Sequence, residues 1–246
     1  MSHPRPSVET RGLGYRYPDG HTALRDVSFR IHQGESVAII GGNGAGKSTL
    51  LLHLNGVLTP SSGEVRIGDL AVTPDTLADV RRAVGLVFQD PDDQLFMPTV
   101  FDDVAFGPLN MGLPPEEVAA RVTQVLNTVG ASHLAGRPPY RLSGGEKRAV
   151  AIAGVLAMSP SILVMDEPSD GLDPVSRRRL INLLSGFGHT KIIATHDLDL
   201  VLDLCSRVLV MSAGEIVADS SPAVIFSDIA LLERCDLEEP LSRQRR

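Results

Sequence analysis

The sequence predicts an α/β fold built on a mostly parallel sheet, and three observations carry that expectation. Short apolar runs at residues 37–40, 161–165, 192–195 and 208–211 have the length of buried strands. Helical stretches alternate with the later runs, which is how a parallel sheet with crossover helices is laid along a chain. Gly34 on one side and Gly41-Gly42 on the other bound the first run sharply.

Taken in order, residues 8–17 and 23–31 are half-buried strand candidates separated by the turn Pro18-Asp19-Gly20. Residues 37–40 follow as a buried strand, and a helix is expected from Lys47 to about Leu54. Residues 65–67 and 84–88 are further strand candidates. The middle of the chain is more helical. Pro114, Pro115, Glu116 and Glu117 open a helix, with prolines where no amide donor is needed and acids at the positive end of the dipole. Val118, Val122, Val125, Leu126 and Val129 then recur at helical spacing until Gly130 stops the run. Residues 91–158 therefore read as a helical insert. Beyond Pro222 the pattern weakens, and residues 242–246 are expected to fray.

The chain has 246 residues, enough for one domain carrying a subdomain, and 43% of them are hydrophobic, which supplies ample core. Thirty acidic against 23 basic residues give a net charge of -7, which argues against general nucleic-acid binding. The basic side is lopsided: Lys47, Lys147 and Lys191 are the lysines, and all the rest are arginines. Cys205 and Cys235 match neither a disulfide framework nor a metal knuckle, and the histidines form no recognisable ligand cluster. The start of the chain is polar, and the longest apolar stretch, residues 149–158, is about half of a bilayer span. A cytoplasmic chain is expected.

Gly41, Gly42, Asn43, Gly44, Ala45, Gly46, Lys47 and Ser48 fit G-x-x-x-x-G-K-[ST] between a strand candidate and a helix candidate. Glycines let backbone wrap closely around a polyphosphate, and the helix N-terminus adds positive potential. Lys47 would reach the β- and γ-phosphates, and Ser48 would ligate magnesium. The strand candidate ending at Met165 runs into Asp166 and Glu167. Asp166 suits the magnesium shell, and Glu167 suits orienting an attacking water. His196 follows another strand candidate, at the C-terminal edge where α/β ligands bind. Leu142, Ser143, Gly144, Gly145 and Glu146 precede a helix and make a second anion-binding N-terminus. One nucleotide cannot readily use both unless they come from different copies, which points to a head-to-tail C₂ dimer with ATP between subunits.

On these motifs the chain resembles the ATP-binding cassette (ABC) ATPases over residues 8–218. The resemblance implies a P-loop NTPase (RecA-like) core over residues 1–90 and 159–220, with an N-terminal antiparallel β subdomain. It also implies a helical signature subdomain over 91–158 and a C-terminal tail over 221–246, all within one ATPase domain. The Walker A loop would be Gly41 to Ser48, with Thr49 beside it, and the Walker B strand would end at Asp166 with Glu167 as catalytic glutamate. Gln89 matches the glutamine that senses magnesium and the attacking water, and His196 matches the switch histidine. Tyr17 matches the aromatic that stacks on adenine, with Tyr15 as the alternative. Leu142 to Glu146 matches the signature, with Glu146 where most members carry glutamine. That change reads as mild, because backbone amides and Ser143 carry most of the phosphate contact. Asp173 falls in the D-loop, which communicates across the dimer.

Asp90, Pro91, Asp92, Asp93, Gln94 and Leu95 resemble the short Q-helix segment of energy-coupling factor ATPases. The following residues 96–110 and the stretch 142–154 are most similar to the cobalt and nickel branch. The resemblance implies ATP and magnesium as cofactors, a second ATPase subunit, a membrane scaffold protein and a substrate-binding membrane protein. Asp90, Asp92 and Asp93 would meet arginines of the scaffold, placing the chain peripherally on the cytoplasmic face. The alternatives are a vitamin importer of the same type, another ABC importer, and a soluble ABC protein acting on DNA or ribosomes. A P-loop kinase or GTPase leaves residues 142–146 unexplained.

Overall fold

The computed structural model describes residues 7–244, so the first six residues of the polar start and the last two of the tail, Arg245 and Arg246, lie outside the described residues. β1 (Val8–Arg16) and β2 (Thr22–Ile31) pair antiparallel from Val8 opposite Ile31 to Arg16 opposite Thr22. β3 (Ser36–Ile40) leads through the glycine-rich turn into α1 (Lys47–Leu54). β4 (Ser62–Ile67) returns to pair antiparallel with β1, and the short β5 (Leu70–Ala71) adds to β4, giving a sheet in the order β2-β1-β4-β5. α2 (Leu77–Ala83) and β6 (Val84–Val87) follow. Then come α3 (Val100–Asn110), α4 (Pro115–Thr128) and α5 (Gly144–Ala157). The chain alternates afterwards through β7 (Ile162–Asp166), α6 (Pro174–Ser185), β8 (Thr190–Ala194), α7 (Leu198–Leu204) and β9 (Arg207–Ser212). β10 (Glu215–Ser220), α8 (Pro222–Ile225) and α9 (Ile229–Arg234) complete it.

The second sheet has the order β10-β9-β3-β8-β7-β6, parallel throughout except where β10 turns back on β9. β3 sits at its centre. Val37 and Ile39 face one apolar cluster, shared with Val8, Ile31, Leu50 and Leu54 of the first sheet and α1. Ala38 and Ile40 face another, shared with Leu163, Val208, Leu200 and Phe226. Consecutive strand side chains point to opposite faces, and both faces are covered here, so the strand shows no polar alternation. A third cluster, including Val104, Val122, Leu126, Val150 and Ala153, is built from α3, α4, α5 and the segment joining α4 to α5.

Several elements differ from the sequence reading. β6 stops at Val87, leaving Phe88 outside the strand. β4 begins three residues earlier than the apolar residues alone suggest, at Ser62. α2, β10, α8 and α9 carried no signal strong enough to be read. The tail is fastened rather than frayed over its described part: the Ser242 amide donates to Asp199 at 3.3 Å and its hydroxyl bonds the same carboxylate. The Arg243 guanidinium lies 5.9 Å from the centre of the Phe226 ring.

Candidate functional site

The turn after β3 is walled on two sides. A Cβ on Gly41 would lie 2.2 Å from the Met211 carbonyl oxygen, and one on Gly46 would lie 2.6 Å from that of Ala23. Gly46 also holds φ 102°, a region open to glycine without strain. The Ala45 amide donates to the Gly42 carbonyl at 3.2 Å, and the Gly214 amide donates to the Ala45 carbonyl at 3.1 Å. The Gly42 amide donates to the Cys235 carbonyl at 3.1 Å, so the tail just after α9 forms part of the wall.

Lys47 curls back, its Nζ donating to the carbonyls of Gly41 at 2.8 Å and Gly42 at 3.2 Å. Asn43, Gly44 and Ser48 are exposed at the lip. Gly46 caps α1 without a side chain, and the first amides of a helix have no partner inside it, so this N-terminus is suited to an anion. Thr49 is buried, and its hydroxyl lies 3.0 Å from the Tyr17 hydroxyl. Tyr15 instead packs edge-on against His53, ring centres 4.8 Å apart, and belongs to the first apolar cluster. Tyr17 is therefore the tyrosine beside the loop.

β7 delivers two carboxylates next to this turn. Asp166 is buried, and its Oδ1 has no hydrogen-bond partner. Burial pushes its carboxyl up, as does Glu167, while a bond from the Ser48 hydroxyl and the charges of Lys47 and Arg148 pull it down. An orphaned carboxylate oxygen beside a serine hydroxyl is a hard-oxygen donor set that fits magnesium. Glu167 takes φ 45°, a left-handed conformation costing a non-glycine residue roughly 1 kcal/mol. That turn ends the strand alternation, so two consecutive acids reach one site. Glu167 Oε2 accepts the His196 amide at 3.1 Å and lies 2.9 Å from its Nδ1. Glu167 is buried, whereas the His196 side chain is 66% exposed and free to meet a ligand. Gln89 is exposed just past β6, whose Val87 pairs with Met165, so it leaves the same sheet edge.

The second glycine pair lies elsewhere. Leu142 is buried, and Ser143 caps α5 in a capping box with Glu146. Gly144, Gly145 and Glu146 line a cleft of about 1060 Å³ together with Leu172, Asp173 and Ser176, and residues 41–48 do not border it. Asp173 caps α6, accepting the amides of Val175 and Ser176 at 2.9 and 3.1 Å. One copy of the chain therefore keeps its two anion-binding ends apart.

The acidic segment after Gln89 is strapped to α5. Asp90 accepts the Asp92 amide at 2.9 Å and caps a single 3₁₀ turn, Pro91–Asp93. Lys147 Nζ donates to both Asp92 carboxylate oxygens at 2.6 and 2.8 Å. Gln94 Nε2 donates to the Ala151 carbonyl at 2.8 Å while its Oε1 accepts the Phe88 amide at 3.3 Å. Arg148 Nη1 reaches the Phe88 carbonyl at 3.0 Å. Gln94 and Leu95 thus serve the interior, Leu95 packing on the third apolar cluster, and Asp90, Asp92 and Asp93 stand outside. Sequence reasoning missed the neighbouring apolar patch: Phe96 and Phe106, both exposed, meet edge to face at 4.9 Å. Asp103 aims Phe96 outward by accepting the amides of Phe96 and Met97, each at 3.0 Å.

The sequence profile of the ABC transporter family matches residues 24–170. The chain belongs to the ABC transporter family. It is an ATP-hydrolysing subunit of that family, of energy-coupling factor type. A protein of Geobacter sulfurreducens described as an ABC transporter ATP-binding protein is 64% identical, over 99% of this chain and 97% of its own length. The energy-coupling factor transporter ATP-binding protein EcfA of Methanocaldococcus jannaschii is 50% identical over 95% of this chain and 85% of its own. Among solved structures, cbiO1 of Clostridium perfringens, described as part of the ABC transporter complex cbiONQ, is 40% identical and superposes with a TM-score of 0.81, covering 97% of each chain. A dimeric ATP-binding cassette bound to ADP and inorganic phosphate is 29% identical with a TM-score of 0.80, covering 87% of this chain and 98% of that one. Among the described residues of this ABC ATPase, no helix is long and apolar enough to cross a membrane.

Proposed function

We propose that this ABC ATPase powers uptake of a divalent transition metal ion, cobalt or nickel, through membrane partners. Two copies would close head to tail around ATP, each supplying its glycine-rich turn to one nucleotide and Leu142 to Glu146 to the other. The observation that carries the reading is the meeting of Lys47, Ser48, Asp166, Glu167 and His196 at one sheet edge, with the residue 142–146 end held away from it. Gly41 to Thr49 would cradle the phosphates, and Tyr17 would stack on the base. Ser48, Asp166 and Gln89 would hold magnesium, which neutralises phosphate charge when bound. Glu167 would orient the attacking water, and His196 would contact the γ-phosphate. Asp173 would pass the state of one copy to the other.

Asp90, Asp92 and Asp93 would meet cations of the membrane scaffold, with Phe96 and Phe106 as apolar neighbours. Support for cobalt or nickel comes from the resemblance of residues 96–110 and 142–154 to that branch, and the structural likeness to cbiO1 is consistent with it. The complex would sit on the cytoplasmic face of the membrane. The helical unit 91–158 would then pivot against the core on closure.

The test is Glu167→Gln. The variant should bind ATP as the parent does, lose at least about a hundredfold in turnover, and accumulate as an ATP-bound dimer. Parental turnover would remove Glu167 from its role. Uptake of radioactive cobalt or nickel by cells expressing the chain with its copurifying membrane proteins tests the substrate, and uptake of a vitamin instead would replace the metal.

A further inference from the structure

Glu146 occupies the hydroxyl that the signature would present to a nucleotide. Ser143 is exposed at the start of α5, and its Oγ donates to Glu146 Oε2 at 2.8 Å. The same Oε2 accepts the Ser143 amide at 2.8 Å. Those two bonds, the amide foremost, hold the Glu146 carboxyl below the ordinary range, so it is ionised at neutral pH. An ionised carboxylate only accepts, so the serine proton lies on the Glu146 side, while Oγ itself accepts the Glu146 amide at 3.4 Å. A glutamine in the same place would keep its carbonyl oxygen on the Ser143 amide, and that neutral oxygen is a weaker acceptor than a carboxylate, so it would release the serine proton toward a phosphate more readily.

We propose that Glu146 is a positioning residue that weakens the grip of residues 142–146 on a partner copy's triphosphate by keeping the Ser143 proton turned inward. The inference rests on the head-to-tail reading above and deepens it. Two contributions share one sign. Donating to phosphate requires Ser143 to break a bond to a charged acceptor, and a fixed negative charge stands behind it. The pair of subunits closes at a higher ATP concentration than a glutamine would demand, and it reopens more readily.

The experiment uses the full chain with Glu167→Gln, so that ATP-bound pairs are not consumed, and measures by light scattering the ATP concentration giving half-maximal dimer. Adding Glu146→Gln should lower that concentration about three- to tenfold, the worth of one hydrogen bond. Adding Ser143→Ala to both proteins should shrink the gain below about twofold, leaving a charge effect that salt suppresses. If Glu146→Gln only weakened the helix cap, the melting temperature would fall with no drop in the ATP requirement, and the inference would be overturned. An unchanged or raised ATP requirement, or a full gain that persists with Ser143→Ala, overturns the inference while the head-to-tail reading stands. A Glu167→Gln chain that binds ATP yet never pairs overturns that reading and this inference with it.

Discussion

Lys47 is held by the carbonyls of its own turn, a fit for a compact ammonium with three donors. Lys47→Arg forces a planar guanidinium into that space and should weaken ATP binding at least about tenfold; near-parental affinity by calorimetry would refute the fit. His53, at the buried face of α1, makes a different prediction. Burial pushes its pKa down, its Nδ1 lying 2.7 Å from the Thr49 carbonyl. Below about pH 6.5 the unfolded imidazole takes up a proton that the folded one refuses, so stability should fall as pH falls, by up to about 1.4 kcal/mol per unit until the folded pKa is reached. His53→Gln should remove that component, read as the difference in urea midpoint between pH 7.5 and 5.5; an undiminished acid loss would reassign it. At this scale the sequence announced residue types well, because Lys47, Asp166 and Glu167 sit beside turns and strand ends visible as local pattern. It could not announce the left-handed backbone of Glu167 or the Asp92 partner of Lys147, since each depends on neighbours distant in the chain.

At the scale of elements, α5 joins the acidic turn to the signature. Lys147→Met should leave ATP binding intact and raise amide exchange across residues 90–95, because the segment then loses its ion pair to α5 and keeps only Gln94, Arg148 and the packing of Leu95; unchanged exchange would deny the strap. β6 packs so tightly on α5 that a Cβ on Gly85 would fall 2.3 Å from Val155 Cγ1 and 2.9 Å from Pro160 Cγ. Gly85→Val should cost about 1–3 kcal/mol by urea unfolding, and a neutral result would mean that α5 can retreat. Strands with uninterrupted apolar runs and the proline-led α4 were legible. β10 was not, because it is an edge strand whose residues alternate between exposed and half-buried, leaving no apolar run. α8 and α9 are too short for a period to accumulate, and only packing against Phe226 and its neighbours makes them regular.

For the whole molecule, separate apolar clusters set what can move independently. Leu126 lies in the cluster formed by α3, α4 and α5 with the segment that joins α4 to α5, and Leu126→Ala should cost about 2–5 kcal/mol. The added exchange should be confined to residues 100–157 if that region opens by itself; equal exposure of β3 and β8 would make it one cooperative body with the sheet. The same arrangement bears on the order in which the protein is made. The nucleotide turn is encoded early, yet two of its walls, the carbonyls of Met211 and Cys235, come from strand β9 and from the tail just after α9. A nascent chain therefore carries the full glycine motif long before it owns the shape that the motif needs. Tight nucleotide capture would then be expected only once the chain has been made past Cys235.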